Sequence, residues 1–300
     1  MTTNILDTMP DTLGTARYLG TFANQSPEWH AVRATGIGGS DVGTIVGCNP
    51  WESAYTWWAK RTGKIDSEIP QSDAMLWGTL LEEPILKHFA SLHPELRLQP
   101  DCGTWSHGER PWQIANPDAL YQRGDGSIGI VEVKTARYED AWVDGVPAYY
   151  QTQVQWYLQT FGFSHAYVVV LFSGSKYREF EITADTFEQD TNLATVEDFR
   201  KYVETDTAPD FSAPFISTLQ TVREQHPEID DAEIELGDLG ADYFKTLEEY
   251  TWAEGQLNQV KSHVLMKMGN AKKGLFNGVW VVTRQARNGG TPYLVNKKGN

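Results

Sequence analysis

The chain has 300 residues, 40% of them hydrophobic, enough to form a core for one large domain or two smaller ones and too many for wholesale disorder. No apolar run approaches the roughly 20 residues of a membrane span, and the amino terminus lacks the charged-then-apolar pattern of a signal peptide, so a cytoplasmic protein without a membrane partner is expected. The net charge of −15 argues against a polyanion partner, but it is unevenly spread: residues 181–260 hold 4 Lys/Arg against 20 Asp/Glu, whereas residues 261–300 hold 8 Lys/Arg and no acid.

Along the chain, residues 1–25 show no sustained period and read as a flexible leader. Ser26, Pro27 and Glu28 have the chemistry of a helix start: a capping hydroxyl, a proline in the first turn and an acid beside the positive end of the helix. Gly36, Gly38, Gly39 and Gly43 crowd around Ser40 and Asp41, where the backbone turns tightly or something comes close to it. Helices are predicted over 53–61, closing at Gly63, and over 72–92, with Leu76, Leu80, Leu81, Ile85 and Phe89 on one face and Pro84 marking a kink or break. Cys48 and Cys102 are too few for a disulfide scaffold, a four-cysteine zinc site or a cysteine-held iron–sulfur cluster, and read as reduced, buried thiols.

From Trp112 the period changes to two. Strands over 112–121 and 127–135 flank Arg123-Gly124-Asp125-Gly126, which is hairpin-turn chemistry, so Asp125 is expected to serve the turn. A helix over 147–161, a central strand from Ala166 to Phe172 and a further strand near 177–182 complete an α/β pattern, a mixed sheet wrapped by helices. Residues 205–238 are rich in Pro, Asp, Glu and Thr and read as an acidic linker. A helix over 239–268 follows, its Tyr243, Leu247, Tyr250, Leu257, Val264 and Met268 forming a packing seam, then a short strand from Gly278 to Arg284.

The chemistry-bearing residues cluster around the predicted hairpin. Strand alternation sends Glu132 and Lys134 to one side and Val131 and Val133 to the other, and a hairpin can bring Asp118 beside Glu132. Two adjacent carboxylates repel unless a cation sits between them, and oxygen-only ligands favour Mg²⁺ or Mn²⁺ over zinc. A surface hairpin carrying a salt bridge would produce the same short pattern. The companions make it more specific: Glu82 on the preceding helix, and Gln153 and Tyr157 one turn apart on the following one.

The run Pro117-Asp118, Glu132-Val133-Lys134 and Gln153-Val154-Gln155-Trp156-Tyr157 resembles the PD-(D/E)XK nuclease superfamily, and within it the YqaJ-like phage recombination exonucleases related to lambda exonuclease. The resemblance extends to Trp29-His30 with Arg33, Gly36 to Val42, Lys60-Arg61-Thr62-Gly63 and Trp77-Gly78 to Glu82, and so covers about residues 26–182. Ala119 stands where glycine often follows the aspartate, and the spacing after Trp77-Gly78 favours Glu82 over its neighbour Glu83. The resemblance implies a restriction-endonuclease-like core over 26–204, followed by the linker and a carboxy-terminal helix with a basic β segment over 239–300. It implies that Asp118, Glu132 and the Val133 carbonyl hold Mg²⁺, with Mn²⁺ able to substitute, and that Glu82 supports a second ion or its waters. Lys134 would deprotonate or position the attacking water, Gln153 would orient that lysine or the substrate, and Tyr157 would support them. Arg33 and Ser40 would grip a terminal 5′-phosphate; as an isolated residue Arg33 reads equally well as a surface charge.

The implied activity is 5′-to-3′ digestion of double-stranded DNA ends, leaving 3′ overhangs for recombination. The implied partners are a single-strand annealing protein and further copies of the chain in a trimer, and the implied location is a host cytoplasm. An endonuclease on the same fold, or a DNA-end-binding module without turnover, are the competing readings. A carbohydrate-binding role, suggested by 11 Trp and 13 Tyr, is disfavoured because Trp57, Trp58, Trp77 and Trp156 fall in helical apolar patterns.

Overall fold

The structure, a computed structural model, describes residues 11–23, 26–66, 72–210 and 214–296. Most of the first part of the predicted leader, three residues of the predicted linker, and Lys297 and Lys298 of the basic end lie outside the described residues.

The elements run β1 Thr12–Leu13, β2 Ala16–Gly20, α1 Pro27–Ala34, β3 Ile37–Gly38, α2 Gly39–Ile45, α3 Ala54–Arg61, α4 Asp73–Leu92, β4 Arg97–Pro100, β5 Thr104–His107, β6 Gln113–Ala115, β7 Ala119–Gln122 and β8 Ile128–Ala136. They continue with α5 Ala148–Phe161, β9 His165–Phe172, β10 Lys176–Thr183, α6 Thr186–Glu204, α7 Ile216–Gln225, α8 Asp238–Met268, β11 Lys273–Phe276, β12 Val279–Gln285 and β13 Tyr293–Asn296. The chain divides into two compact units between Glu228 and Ile229.

The first unit is built on a five-stranded mixed sheet in the order β10-β9-β8-β7-β4. Its central strand β8 pairs antiparallel with β7 and parallel with β9, the parallel pair being joined through α5. A parallel pair needs such a crossover because its two ends point the same way. The alternation along β8 divides two cores. Val131 and Val133 pack with Ile85, Leu86 and Phe89 of α4, whereas Ile130 joins Val154, Leu158 and Phe161 of α5 on the other side. Gly129 is required where β8 passes Tyr121, because a Cβ there would lie 2.4 Å from the tyrosine ring. At the β7–β8 turn, Asp125 Oδ1 accepts from the Ser127 amide at 2.9 Å, as the turn chemistry predicts.

Local signals place several ends. The Ser26 hydroxyl accepts the Trp29 amide at 3.1 Å, Ser53 does the same for Thr56, and α5 closes at Gly162 with φ +68°.

The structure differs from the sequence reading in several places. β1 and β2 lie within the predicted leader and belong to a second sheet, ordered β1-β2-β5-β6-β3, with Ala16 fully buried. The predicted strand 112–121 is two strands in two sheets, broken at Asn116-Pro117-Asp118, since proline has no amide to continue a ladder. The helix α4 runs unbroken through Pro84, which is exposed, so water can take the Leu80 carbonyl deprived of its amide partner. Within the predicted linker, α7 packs on α3: Ser217, Thr218 and Thr221 are buried, and the Thr218 and Thr221 hydroxyls bond Ser53 and Thr56. Trp57, Trp58 and Trp156 are buried as expected, but Trp77 is exposed, as is Leu80 on the same helix. Cys102 is buried and Cys48 only partly so, and both are free thiols.

The second unit holds α8 and an antiparallel sheet ordered β11-β12-β13. No residue of α8 is buried, so most of its apolar stripe is open rather than a packed seam. Its carboxy-terminal end is the exception: a Cβ on Gly274 of β11 would sit 3.3 Å from the Met268 sulfur. Among the described residues no helix is long and apolar enough to cross a membrane.

Candidate functional site

The break between β6 and β7 presents Asp118. Thr104 Oγ1 donates to Asn116 Oδ1 at 2.5 Å and the Cys102 thiol donates to the Pro117 carbonyl at 3.1 Å, so the two residues before the aspartate are pinned. Asp118 Oδ2 then accepts the Val133 amide at 2.6 Å. This bond ties the aspartate to β8 beside Glu132, as the predicted hairpin requires. Val133 therefore meets Asp118 through its N–H.

Glu132 is 2% exposed. Its Oε1 receives Lys134 Nζ at 2.5 Å and Gln153 Nε2 at 2.7 Å, and Gln153 Nε2 also donates to the Tyr157 hydroxyl at 3.1 Å. Gln153 thus bonds Glu132 directly and meets Lys134 only through the shared oxygen, because one turn of α5 carries Gln153 and Tyr157 over the glutamate face of β8. Glu132 Oε2 is buried with no hydrogen-bond partner. A buried, unpaired carboxylate oxygen costs on the order of 1–3 kcal/mol or more, which a cation would offset.

The neighbouring acids report the same shortage of positive charge. Burial, then the charges of Glu132 and Glu82, holds the Asp118 carboxyl well above its ordinary range despite the nearby Lys134 and the Val133 amide. Burial, then Glu132 and Asp101, pushes Glu82 up to about 7. Burial opposes charge on Lys134, but Glu132 and Asp118 outweigh it and keep the ammonium firmly protonated. The Lys134 ammonium also lies 4.8 Å from the centre of the Tyr150 ring.

Glu82 is the inward acid of its pair. Glu83 points out and pairs with Lys87 at 2.6 Å, one turn along α4. Glu82, Asp118 and Asp101 line one cavity of about 800 Å³, to whose lining Phe22, Trp29 and the outer acid Glu83 also belong. Among the described residues no three His, Cys, Asp or Glu side chains form a ready-made metal cage. The donors nevertheless fit a hard ion that keeps several waters: carboxylate oxygens only, one of them orphaned, with two protonation-prone acids beside it.

Arg33 and Ser40 meet at the start of α2, where Arg33 Nη2 donates to Ser40 Oγ at 2.8 Å. The guanidinium lies 4.7 Å from the Trp29 ring centre and 3.7 Å from Asp41, whose other oxygen accepts the Gly38 amide. Gly39 links this cluster to the carboxylates: a Cβ there would sit 2.6 Å from the Tyr157 ring and 3.0 Å from the Gln153 side chain. Close approach, rather than a special φ, is what demands glycine here.

Two contributors lay beyond sequence reasoning. Arg61, in the Lys60-Arg61-Thr62-Gly63 run but given no role, donates to the carbonyls of Arg33, Ala34 and Gly36 and fixes the turn that carries Arg33. Asp101, at φ +52°, has only the Cys102-Gly103 that follows it as a turn signal, and nothing in its spacing links it to Glu82.

Residues 28–164 match the family model of the YqaJ-like viral recombinase domain. The chain is 33% identical over 163 residues to protein YqaJ of Bacillus subtilis (strain 168), covering 53% of this chain and 50% of that one. It is 29% identical over 154 residues to protein D345L of African swine fever virus (isolate Tick/South Africa/Pretoriuskop Pr4/1996), covering 44% of each. The chain thus spans about half the length of these relatives or less. Its fold resembles that of an alkaline exonuclease, LHK-Exo, from Laribacter hongkongensis, with a TM-score of 0.52 at 19% identity over 61% of this chain and 94% of that one. The first unit therefore has the expected restriction-endonuclease-like α/β fold, and the carboxylates, Lys134, Gln153 and the Arg33 cluster all lie within the matched residues 28–164.

Proposed function

We propose that the chain is a divalent-metal-dependent deoxyribonuclease that shortens one strand of a double-stranded DNA end, in the 5′-to-3′ direction, leaving a 3′ overhang for recombination. The observation carrying this reading is the Glu132 carboxylate, held at one oxygen by Lys134 and Gln153 while the other is buried and unpaired beside Asp118. Asp118, Glu132 and the Val133 carbonyl would hold Mg²⁺ or Mn²⁺, with Glu82 supporting a second ion or its waters. Such an ion supplies a water made nucleophilic near neutral pH and neutralises charge building on the phosphorane.

The protein's own groups do the rest. The rigid Lys134–Glu132–Gln153 chain sets the direction of the glutamate, and Lys134, firmly protonated here, is suited to stabilise the phosphorane oxygens and orient the attacking water. Arg33, braced by Trp29 and held by the turn that Arg61 pins, offers a planar fork for two parallel bonds to a terminal phosphate, with Ser40 as a further donor. A strand end fixed there brings its first phosphodiester toward the acids through the Gly39 approach to Gln153 and Tyr157.

The match to the YqaJ-like viral recombinase model supports DNA recombination as the setting; an annealing protein and further copies of the chain, as a trimer, are the partners this reading proposes. The test is a gel of end-labelled linear and circular duplex, with and without Mg²⁺. Progressive loss of the 5′ label from linear DNA only, dependent on the metal, is expected. Cleavage of circles would make the chain an endonuclease, and binding without turnover would make it an end-binding module.

A further inference from the structure

The helix α8 spans 31 residues, about 46 Å, and buries none of them. Its residues follow a seven-residue repeat. Tyr243, Tyr250, Leu257 and Val264 occupy one seam position, and Leu247, Glu254, Lys261 and Met268 the other, at alternating steps of four and three. Met268 is already engaged on Gly274 of β11, so the free part of the seam is Tyr243 to Lys261. There Tyr243, Leu247, Tyr250 and Leu257 are exposed by 65, 45, 64 and 49%.

Two features identify what covers this seam. Charge is polarised along the helix: Asp238, Asp242, Glu248, Glu249 and Glu254 against Lys245 in its first part, Lys261 and Lys267 with no acid in its last. A second copy lying antiparallel brings each acidic part against a basic one, and opposes the two helix dipoles favourably. The seam also contains one acid and one base. In the antiparallel register that aligns the helices over nearly their full length, Leu247 faces Leu257 of the second copy, Glu254 faces Tyr250 and Lys261 faces Tyr243. Each charged seam residue thereby meets a phenol hydroxyl able to accept or donate. Sliding by one repeat would set Glu254 against Leu257 and call on Met268, which is not free. A polar residue at a seam position commonly fixes register and orientation in this way.

We propose that α8 is a self-association helix that pairs antiparallel with α8 of a second copy of this chain, centred near Trp252. The pairing is independent of the nuclease reading and of any contact made by the first unit.

The test uses the full chain. Near the two-fold axis Ala253 approaches Ala253 of the second copy, whereas the two Tyr243 residues stand about 27 Å apart along the axis. Under mild oxidation Ala253→Cys forms a covalent dimer and Tyr243→Cys does not, with wild-type chain controlling for Cys48 and Cys102. Crosslinking of Tyr243→Cys in preference to Ala253→Cys would mean a parallel pair, and crosslinking of neither would mean that something else covers the helix. Either result overturns the proposal. As a second measurement, Leu247→Glu with Leu257→Glu lowers the mass found by light scattering twofold at unchanged DNA cleavage. An unchanged mass overturns the pairing.

Discussion

At the position of Glu132 the energetics and the chemistry coincide. A carboxylate withdrawn from water on β8, with one oxygen unsatisfied, lowers the stability of the metal-free protein, and the proposed cation would offset that cost. Lys134→Ala is expected to reduce cleavage by roughly 10²- to 10⁴-fold while binding of DNA ends persists, since it removes transition-state stabilisation and not the phosphate grip. Single-turnover cleavage beside end-binding titrations checks this, and parallel loss of both would contradict it. Arg33→Ala is expected to cut the preference for 5′-phosphorylated over hydroxyl ends by about tenfold, the scale of one charge-assisted hydrogen bond.

The raised acids give a pH test. Glu82 has its folded pKa raised from 4.5 to about 7, so its contribution to stability is fully present below pH 4.5 and is lost as pH climbs through 7. Asp118 shifts in the same direction. The rise in melting temperature on adding Mg²⁺ should therefore be larger at pH 8 than at pH 5.5, where protons already relieve the site. Equal rises at the two pH values would remove the acids from the metal's surroundings.

Among the elements, β8 carries Glu132, Val133 and Lys134, and α5 covers them. Gln153 and Tyr157 emerge one turn apart over β8, and Gly39 of α2 lets the Arg33–Ser40 cluster close against them. Gly39→Ala should cost about 1–3 kcal/mol in urea unfolding, because the backbone and the Tyr157 ring must separate, and should weaken cleavage through Gln153. Neutral behaviour in both assays would show that the contact is looser than its geometry. Much of this was legible beforehand: strand alternation put Glu132 and Lys134 together, and the turn of α5 put Gln153 beside Tyr157. The partner of Gln153 was not, since the choice between Glu132 and Lys134 depends on the height of α5 above the sheet.

On the scale of the whole molecule, the boundary at Glu228/Ile229 falls inside the segment 205–238 that composition marked as a linker. Composition marked residues 205–238 as a linker because it averages over α7, whose small hydroxyl residues bury against α3 with few apolar side chains to announce them. The stretch after α7 is the exposed one, Ile229 being 98% exposed. A glutamate-specific protease should cut first among Glu228, Glu233 and Glu235, where the backbone is irregular and accessible, and mass spectrometry would report the fragments. First cuts at Glu204 or Glu224, in α6 and α7, would contradict this.

The residues alone determined what is written in short-range pattern: the period-two alternation along β8, the helix cap at Ser26, the acid, lysine and glutamine spacings, and the family they resemble. Only the tertiary structure decided which oxygen of Glu132 stays unpaired, that Asp101 and Arg61 join the site, and that β1 and β2 belong to a sheet. Periodicity reports which face of an element is apolar, whereas these outcomes depend on contacts between segments far apart in the chain, whose distances no local spacing encodes.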